Sequence, residues 1–148
     1  MLHVTLIACG RLKEKYLGDA VAEYKKRLKS YISLEIKELP DGPDPAAEAL
    51  RIKQALPDGA YIITLEIEGE PLSSEEFAGK IDALMTEGIS RICFVIGGSD
   101  GLAPDITEKA DMHLSFSRMT FPHQLMRVIF LEQLYRVFKI IRKEPYHK

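Results

Sequence analysis

Three stretches of the chain gather residue types that bind or react. The first is Gly97-Gly-Ser-Asp-Gly101, directly after the apolar run Arg91-Ile-Cys-Phe-Val-Ile96. Glycine reaches positive φ and admits close backbone approach, so such a loop can cradle a ligand, or it can simply end a strand in a tight turn. A dinucleotide fingerprint would read G-x-G-x-x-G, open directly into a helix and meet an acid about twenty positions later. This loop has Pro104 soon after it and no such arrangement, and no Gly-Lys-Ser/Thr follows to make a P-loop. The second stretch, Ser117-Arg-Met-Thr-Phe-Pro-His123, feeds the last helix. The third is the terminal Glu144-Pro-Tyr-His-Lys148. A Tyr-His pair fixed by a proline suits base stacking and proton transfer, although tails are usually solvated decoration. Cys9 and Cys93 have no metal-ligand spacing and read as small core thiols of a reducing compartment. No metal is expected.

Alternating strand and helix signals must position these stretches. Leu2–Ala8 is a strand ended by Gly10. A helix from about Lys15 to Ser30 carries Leu17, Val21, Tyr24 and Leu28 on one stripe. Leu34 and Ile36 alternate with polar residues as in a peripheral strand. A short helix from about Ala46 to Leu56 is broken by Pro57-Asp-Gly. Tyr61–Leu65 and Arg91–Ile96 have the low polarity of strands buried on both faces. Ser73-Ser-Glu-Glu76 has capping-box spacing for a helix reaching about Glu87. A short helix from Pro104, a strand at Met112–Ser115 and a long helix from His123 to about Lys143 follow. Repeated βα units predict an α/β fold, a mostly parallel sheet with helices on both faces, as one domain over residues 1–148. Ligands of such sheets lie beyond the carboxyl ends of the strands. Three loops are expected there: Glu66–Leu72, Gly97–Gly101 and Ser117–Pro122.

Net charge is −2 in 148 residues, but it is unevenly spread. Residues 1–40 hold eight Lys/Arg against five Asp/Glu, residues 41–111 five against fifteen, and residues 112–148 seven against two. Basic ends around an acidic middle allow a basic surface on an acidic protein. No apolar run is long enough to cross a bilayer, and the N-terminus lacks the features of a signal peptide, so a cytoplasmic protein is expected. Neither a membrane nor DNA is expected as a partner. The last helix is apolar nearly all round, from Leu125 to Ile141, which predicts a second partner beyond its own sheet; a symmetric copy is the simplest one. Glu132, Arg136, Lys139 and Lys143 share the polar remainder of that helix, either as an ion-paired face or as a ridge facing phosphate.

Thr64-Leu-Glu-Ile-Glu-Gly69, Phe94–Gly101, Leu114–His123, Glu132-Gln-Leu-Tyr-Arg136 and Pro145-Tyr-His147 occur in the order in which similar pieces occur in the RlmH (YbeA-like) family of SPOUT methyltransferases. The chain resembles that family over essentially its full length. The resemblance implies a deep C-terminal trefoil knot, which no periodicity argument would have proposed. It also implies S-adenosyl-L-methionine as cofactor, a homodimer, and a substrate in 23S rRNA: N3 of a pseudouridine in helix 69 of the assembled ribosome.

Carried over by position, the cofactor residues are Leu65, Gly98, Ser117, Arg118, Met119, Thr120, Phe121 and Pro122. A sulfonium is already a strong methyl donor, so alignment and loss of the N3 proton remain for the protein. His147 is the candidate proton acceptor, Tyr146 the residue that positions the base, and Arg136 the source of positive charge; solvent could also take the proton. His123 reads as an N-terminal helix residue in preference to a catalyst. Two other readings stay open: a SPOUT enzyme for another rRNA or tRNA site, and a ribosome-binding factor without catalysis. A flavodoxin-like or Rossmann nucleotide binder is disfavoured by the missing fingerprint.

Overall fold

A computed structural model describes residues 1–146; His147 and Lys148 lie outside the described residues. Five strands, β1 (Leu2–Cys9), β2 (Ile32–Leu39), β3 (Tyr61–Pro71), β4 (Arg91–Ile96) and β5 (Met112–Ser115), form one sheet in the order β2-β1-β4-β3-β5. Every pairing is parallel, so all five carboxyl ends open on one edge. The connections that parallel strands require are α1 (Lys15–Leu28), α2 (Pro45–Ala55), α3 (Ser74–Thr86) and α4 (Pro104–Thr107), and α5 (His123–Ile141) closes the chain.

The alternation of strand side chains assigns the helices to two faces. Val4 and Leu6 of β1, Ile92 and Phe94 of β4 and Ile63 of β3 point into the larger core, with Leu28 of α1, Phe77 and Ile81 of α3, and Phe130, Leu134 and Val137 of α5. Ile7, Cys9, Cys93 and Val95 point the other way, onto Ala49 and Ile52 of α2 and Ile106 of α4. Local signals set the helix starts. Ser73 and Glu76 form the reciprocal capping box, with Ser73 Oγ accepting from Glu76 N at 3.0 Å. Asp44 caps α2 through Ala47 N at 2.8 Å, with Pro45 at the first helical position. Among the described residues, no helix is long and apolar enough to cross a membrane.

One element differs from the sequence expectation. Glu66–Leu72 is not a free loop, because β3 runs on to Pro71. Leu114 of β5 is in register with both Leu65 and Glu70, so the residues between arch out of the ladder and the strand resumes beyond them. Gly69 makes this arch feasible: a Cβ there would lie 2.8–2.9 Å from the backbone of His113 and Leu114. Over Glu66–Glu70 three glutamates share one side and the other holds only Ile67 and Gly69, too little apolar surface to mark a buried strand. The apolar girth of α5 is also partly used within the chain. It lies against both α1 and α3 on the sheet, while Leu125 remains 37% exposed and Val128, Ile129, Ile140 and Ile141 half-buried.

Both cysteines are buried and unpaired by disulfides. Burial pushes the Cys9 thiol up to about 11, helped by the nearby Glu48 and Asp41 carboxylates, and burial pushes Cys93 up to about 12. Each thiol therefore keeps its proton in the fold at pH values where the unfolded chain loses it. Their contribution to stability is complete below about pH 9 and declines as pH rises from there through the folded values. At pH 8 the native protein should resist iodoacetamide at both positions while urea exposes both to alkylation. Mass spectrometry checks this, and stoichiometric labelling of the native chain would contradict it.

Candidate active site

The carboxyl ends of β3, β4 and β5 enclose a cleft of about 470 Å³. Its floor comes from the strand ends Leu65, Ile96 and Leu114. One wall is the Gly97–Gly101 loop, a second is the Glu66–Glu68 part of the β3 arch, and the third is the Ser117–Phe121 segment leading to His123 and Met126 of α5. These three stretches are the ones expected to leave the carboxyl edge.

Each wall is fixed by its own chemistry. In the glycine loop, Gly98 and Gly101 form an isolated antiparallel bridge, and Gly101 N donates to Gly98 O at 3.0 Å. Only Gly101 takes a positive φ, +82°. Gly97 is required by space, since a Cβ there would lie 2.6 Å from the Gly101 carbonyl oxygen. A Cβ on Gly98 would meet the Glu48 carboxylate at 3.0 Å, a buried side chain of α2 that accepts from Gly42 N at 3.2 Å. In the third wall, the buried Ser115 hydroxyl lies 2.9 Å from Ile67 O and 3.1 Å from Ser117 O, donating to one at a time. It thereby links the arch to the segment after β5. Ser117 Oγ in turn accepts from Met119 N at 3.0 Å. In the second wall, Glu66 contacts His113 Nδ1 and accepts from Thr64 Oγ1 at 2.6 Å.

Of the residues expected to hold a cofactor, Leu65, Gly98, Ser117, Met119, Thr120 and Phe121 line this cleft. Arg118 and Pro122 are exposed and stand outside its lining. Sequence reasoning passed over Ile96, Phe116 and Met126, whose apolar side chains enlarge the wall, and treated His123 as a helix residue only. His123 does open α5, yet it also lines the cleft, and its Nε2 is buried with no hydrogen-bond partner among the described residues. Its position directly after Pro122 was the available signal.

The tail candidates gather elsewhere. Arg136 Nη2 and Tyr146 Oη both donate to Glu132 Oε1, at 2.9 and 3.0 Å, and the Arg136 guanidinium stacks 4.8 Å from the Tyr146 ring centre. The hydrogen bond to Glu132 raises the Arg136 guanidinium above its ordinary value; burial and the same carboxylate raise the Tyr146 phenol, which stays a donor. Neither residue lines the cleft of its own chain, and His147 lies outside the described residues.

A family model described as "Predicted SPOUT methyltransferase" matches residues 2–147. The chain belongs to the SPOUT methyltransferase family. Membership in this family implies the trefoil knot and a methyl donor. SPOUT relatives named "Ribosomal RNA large subunit methyltransferase H" include one from Bacillus cytotoxicus, 48% identical, and one from Bacillus thuringiensis strain Al Hakam, 47% identical; each alignment covers 99% of this chain and the whole relative. Solved structures of the same fold include a probable methyltransferase from Bordetella pertussis Tohama I, with TM-score 0.60 and 13% identity over 90% of this chain and 95% of that one. A probable methylase family protein from Haemophilus influenzae Rd KW20 aligns with TM-score 0.58 and 14% identity, over 99% of this chain and 70% of that one.

The two glycines of the SPOUT cleft should differ in tolerance. Gly97→Ala drives a methyl group into backbone and should cost about 2–3 kcal/mol in urea unfolding. Gly98→Ala meets only a side-chain end that can withdraw and should cost about 1 kcal/mol or less. A reversed order would show that the loop is not built around the Gly97–Gly101 approach.

Proposed function

We propose that this SPOUT methyltransferase transfers the methyl group of S-adenosyl-L-methionine to 23S rRNA, at N3 of a pseudouridine in helix 69 of the assembled ribosome, as a cytoplasmic homodimer. The observation that carries the reading is the convergence of three loops on one apolar cleft, in a chain 47–48% identical over its whole length to proteins named for ribosomal RNA methylation. The resemblance in the Pro145-Tyr-His147 tail favours helix 69 over other RNA sites.

The cleft fits the cofactor. Its volume of about 470 Å³ lies in the range usual for small-molecule sites. Leu65, Met119 and Phe121 offer an apolar wall to the adenine, the glycine loop and the Ser117–Pro122 backbone offer amides and carbonyls to its polar edge, and the unpartnered His123 Nε2 retains hydrogen-bonding capacity at the cleft. When bound, the sulfonium supplies an activated methyl group. The protein then has to orient the base and favour loss of its N3 proton. Tyr146 is suited to stack on or hydrogen-bond the flipped base, Arg136 to stabilise the developing anion and His147 to accept the proton.

Arg136 and Tyr146 stand apart from the cleft of their own chain, so under this reading the reacting groups belong to two copies. A second copy also suits the apolar surface that α5 leaves at Leu125, Val128 and Ile129. One protomer contributes the cofactor cleft and its partner contributes the tail.

The primary test is methylation of 70S ribosomes with radiolabelled cofactor, followed by mass analysis of helix 69. Label on N3 of one pseudouridine is expected; label only on tRNA or on another rRNA site would replace the substrate, and no label with no cofactor binding would replace the activity. A chain truncated after Glu144 should stay dimeric and bind S-adenosylhomocysteine normally, but methylate at a small fraction of the original rate. Mixing it with a variant blocked at an exposed lining position, such as Thr120→Trp, shown to be folded and dimeric, should restore part of the activity through mixed dimers. No restoration would put tail and cleft in the same copy.

A further inference from the structure

We propose that the β1–α1 loop, through Arg11, Lys13 and the adjoining Tyr16, is a preorganised RNA-docking element that sets which side of the cleft the substrate RNA lies on. This rests on the reading that the substrate is ribosomal RNA. The loop leaves the carboxyl end of β1, on the same edge of the sheet as the cleft. Its backbone is held at successive points. Arg127 Nη2 donates to Cys9 O at 2.9 Å and also contacts Gly10 O, Leu12 N donates to Glu38 Oε2 at 3.3 Å, and Lys13 N donates to Gln124 Oε1 at 3.1 Å. Gln124 directly follows His123 of the cleft wall, so the loop sits beside the mouth of the cleft.

The backbone is pinned, yet the side chains are left to solvent. Arg11 and Lys13 are exposed, and neither has an ion-pair partner among the described residues, whereas Lys15 is paired with Asp19 at 2.9 Å. Tyr16, in the first turn of α1, is a 68% exposed aromatic ring five and three positions after the two unpaired cations. A solvated charge needs no such scaffold. Cations held on an ordered backbone lose little entropy on meeting phosphate, and an exposed ring beside them can stack on an unpaired base. The opposite side of the cleft has the reverse sign. Glu68 and Glu70 are exposed on the β3 arch, two strands away from β1, and Asp100 is exposed in the glycine loop that follows the intervening β4. A polyanion is therefore attracted over Arg11 and Lys13 and repelled from Glu68 and Glu70 of the arch.

The test is co-sedimentation of the full chain with 70S ribosomes over a range of KCl concentrations, together with methylation kinetics. Arg11→Ala/Lys13→Ala should lower the salt slope of binding by about 1.5–2, weaken binding about tenfold, and raise KM with little change in kcat or in S-adenosylhomocysteine affinity. Tyr16→Ala should weaken binding without changing the slope. The charge-conserving Arg11→Lys/Lys13→Arg should retain the wild-type slope. Unchanged binding and slope in the double alanine variant would overturn the proposal, as would loss of cofactor affinity or dimerisation, which would give the loop a structural role. A wild-type chain that binds ribosomes without methylating them would remove the catalytic reading and leave the docking claim to be judged on the slopes; a wild type that does neither removes both.

Discussion

Arg127 is 1% exposed, in the second turn of the long apolar helix α5, and the geometry of the carboxyl edge depends on what its guanidinium does there. Taking such a cation out of water costs several kcal/mol unless partners replace the lost hydration. Its partners are Glu38 Oε2 at 3.0 Å and the carbonyl oxygens of Cys9 and Gly10. Burial pulls the guanidinium below its ordinary value and Glu38, the nearest carboxylate, pulls it back. One side chain of α5 thus ties together the ends of β1 and β2, and the same Glu38 oxygen accepts from Leu12 N. Truncating Arg127 would take a donor from two carbonyls at the end of β1, while Glu38 would keep its bond from Leu12 N and its access to water.

The opposite side of the edge is organised mainly by backbone. The approach of Gly69 to Leu114 and the linking Ser115 hydroxyl use backbone groups and one alcohol, and the Glu66 carboxylate of the arch adds contacts to Thr64 and His113. They produce a cleft whose floor is apolar and whose polar capacity lies in backbone amides and carbonyls. That composition suits a ligand whose reactive group is already activated: the walls have to recognise and exclude, and the SPOUT chemistry asks for alignment more than for a nucleophile. Both thiols are consistent with this division, since each is pushed up by burial and unavailable for reaction at neutral pH.

Legibility followed the range of the interactions involved. β4 and β5 were readable to the residue because short apolar runs are bounded by breakers, and the α3 start because Ser73 and Glu76 satisfy each other locally. The cleft loops were readable because parallel strands leave few places for a ligand. The β3 arch was not, since its second half pairs only with Leu114 and Ser115, more than forty positions on. Glu48 behind Gly98 depends on a contact between α2 and the glycine loop that no local pattern encodes. Arg127 did leave a trace, a cation flanked by Met126 and Val128, but spacing cannot say whether such a residue is buried or snorkels outward. The tail groups were named from resemblance, and the chain's own fold brings Arg136 and Tyr146 to Glu132 instead of to the cleft.

The uneven charge of the sequence acquires a direction only through the topology. Read linearly, two basic ends enclose an acidic middle, and in an extended chain the ends are far apart. In the sheet, β1 is a neighbour of β4, and α5 starts beside the β1–α1 loop, where Lys13 N donates to Gln124. Of the N-terminal basic segment, Arg11 and Lys13 stand beside the mouth of the cleft; Lys139 and Arg142 of the C-terminal segment lie over Tyr31, just before β2, at the opposite edge of the sheet, and the acidic middle supplies the exposed Glu68 and Glu70 of the arch. A net charge of −2 predicts no attraction to a polyanion at all, but across a cleft it is the local field that acts, decaying over about 8–10 Å at physiological salt. Parallel strand order thus brings the β1–α1 loop with Arg11 and Lys13 to the same edge as the cleft, through the connectivity that builds the cleft itself.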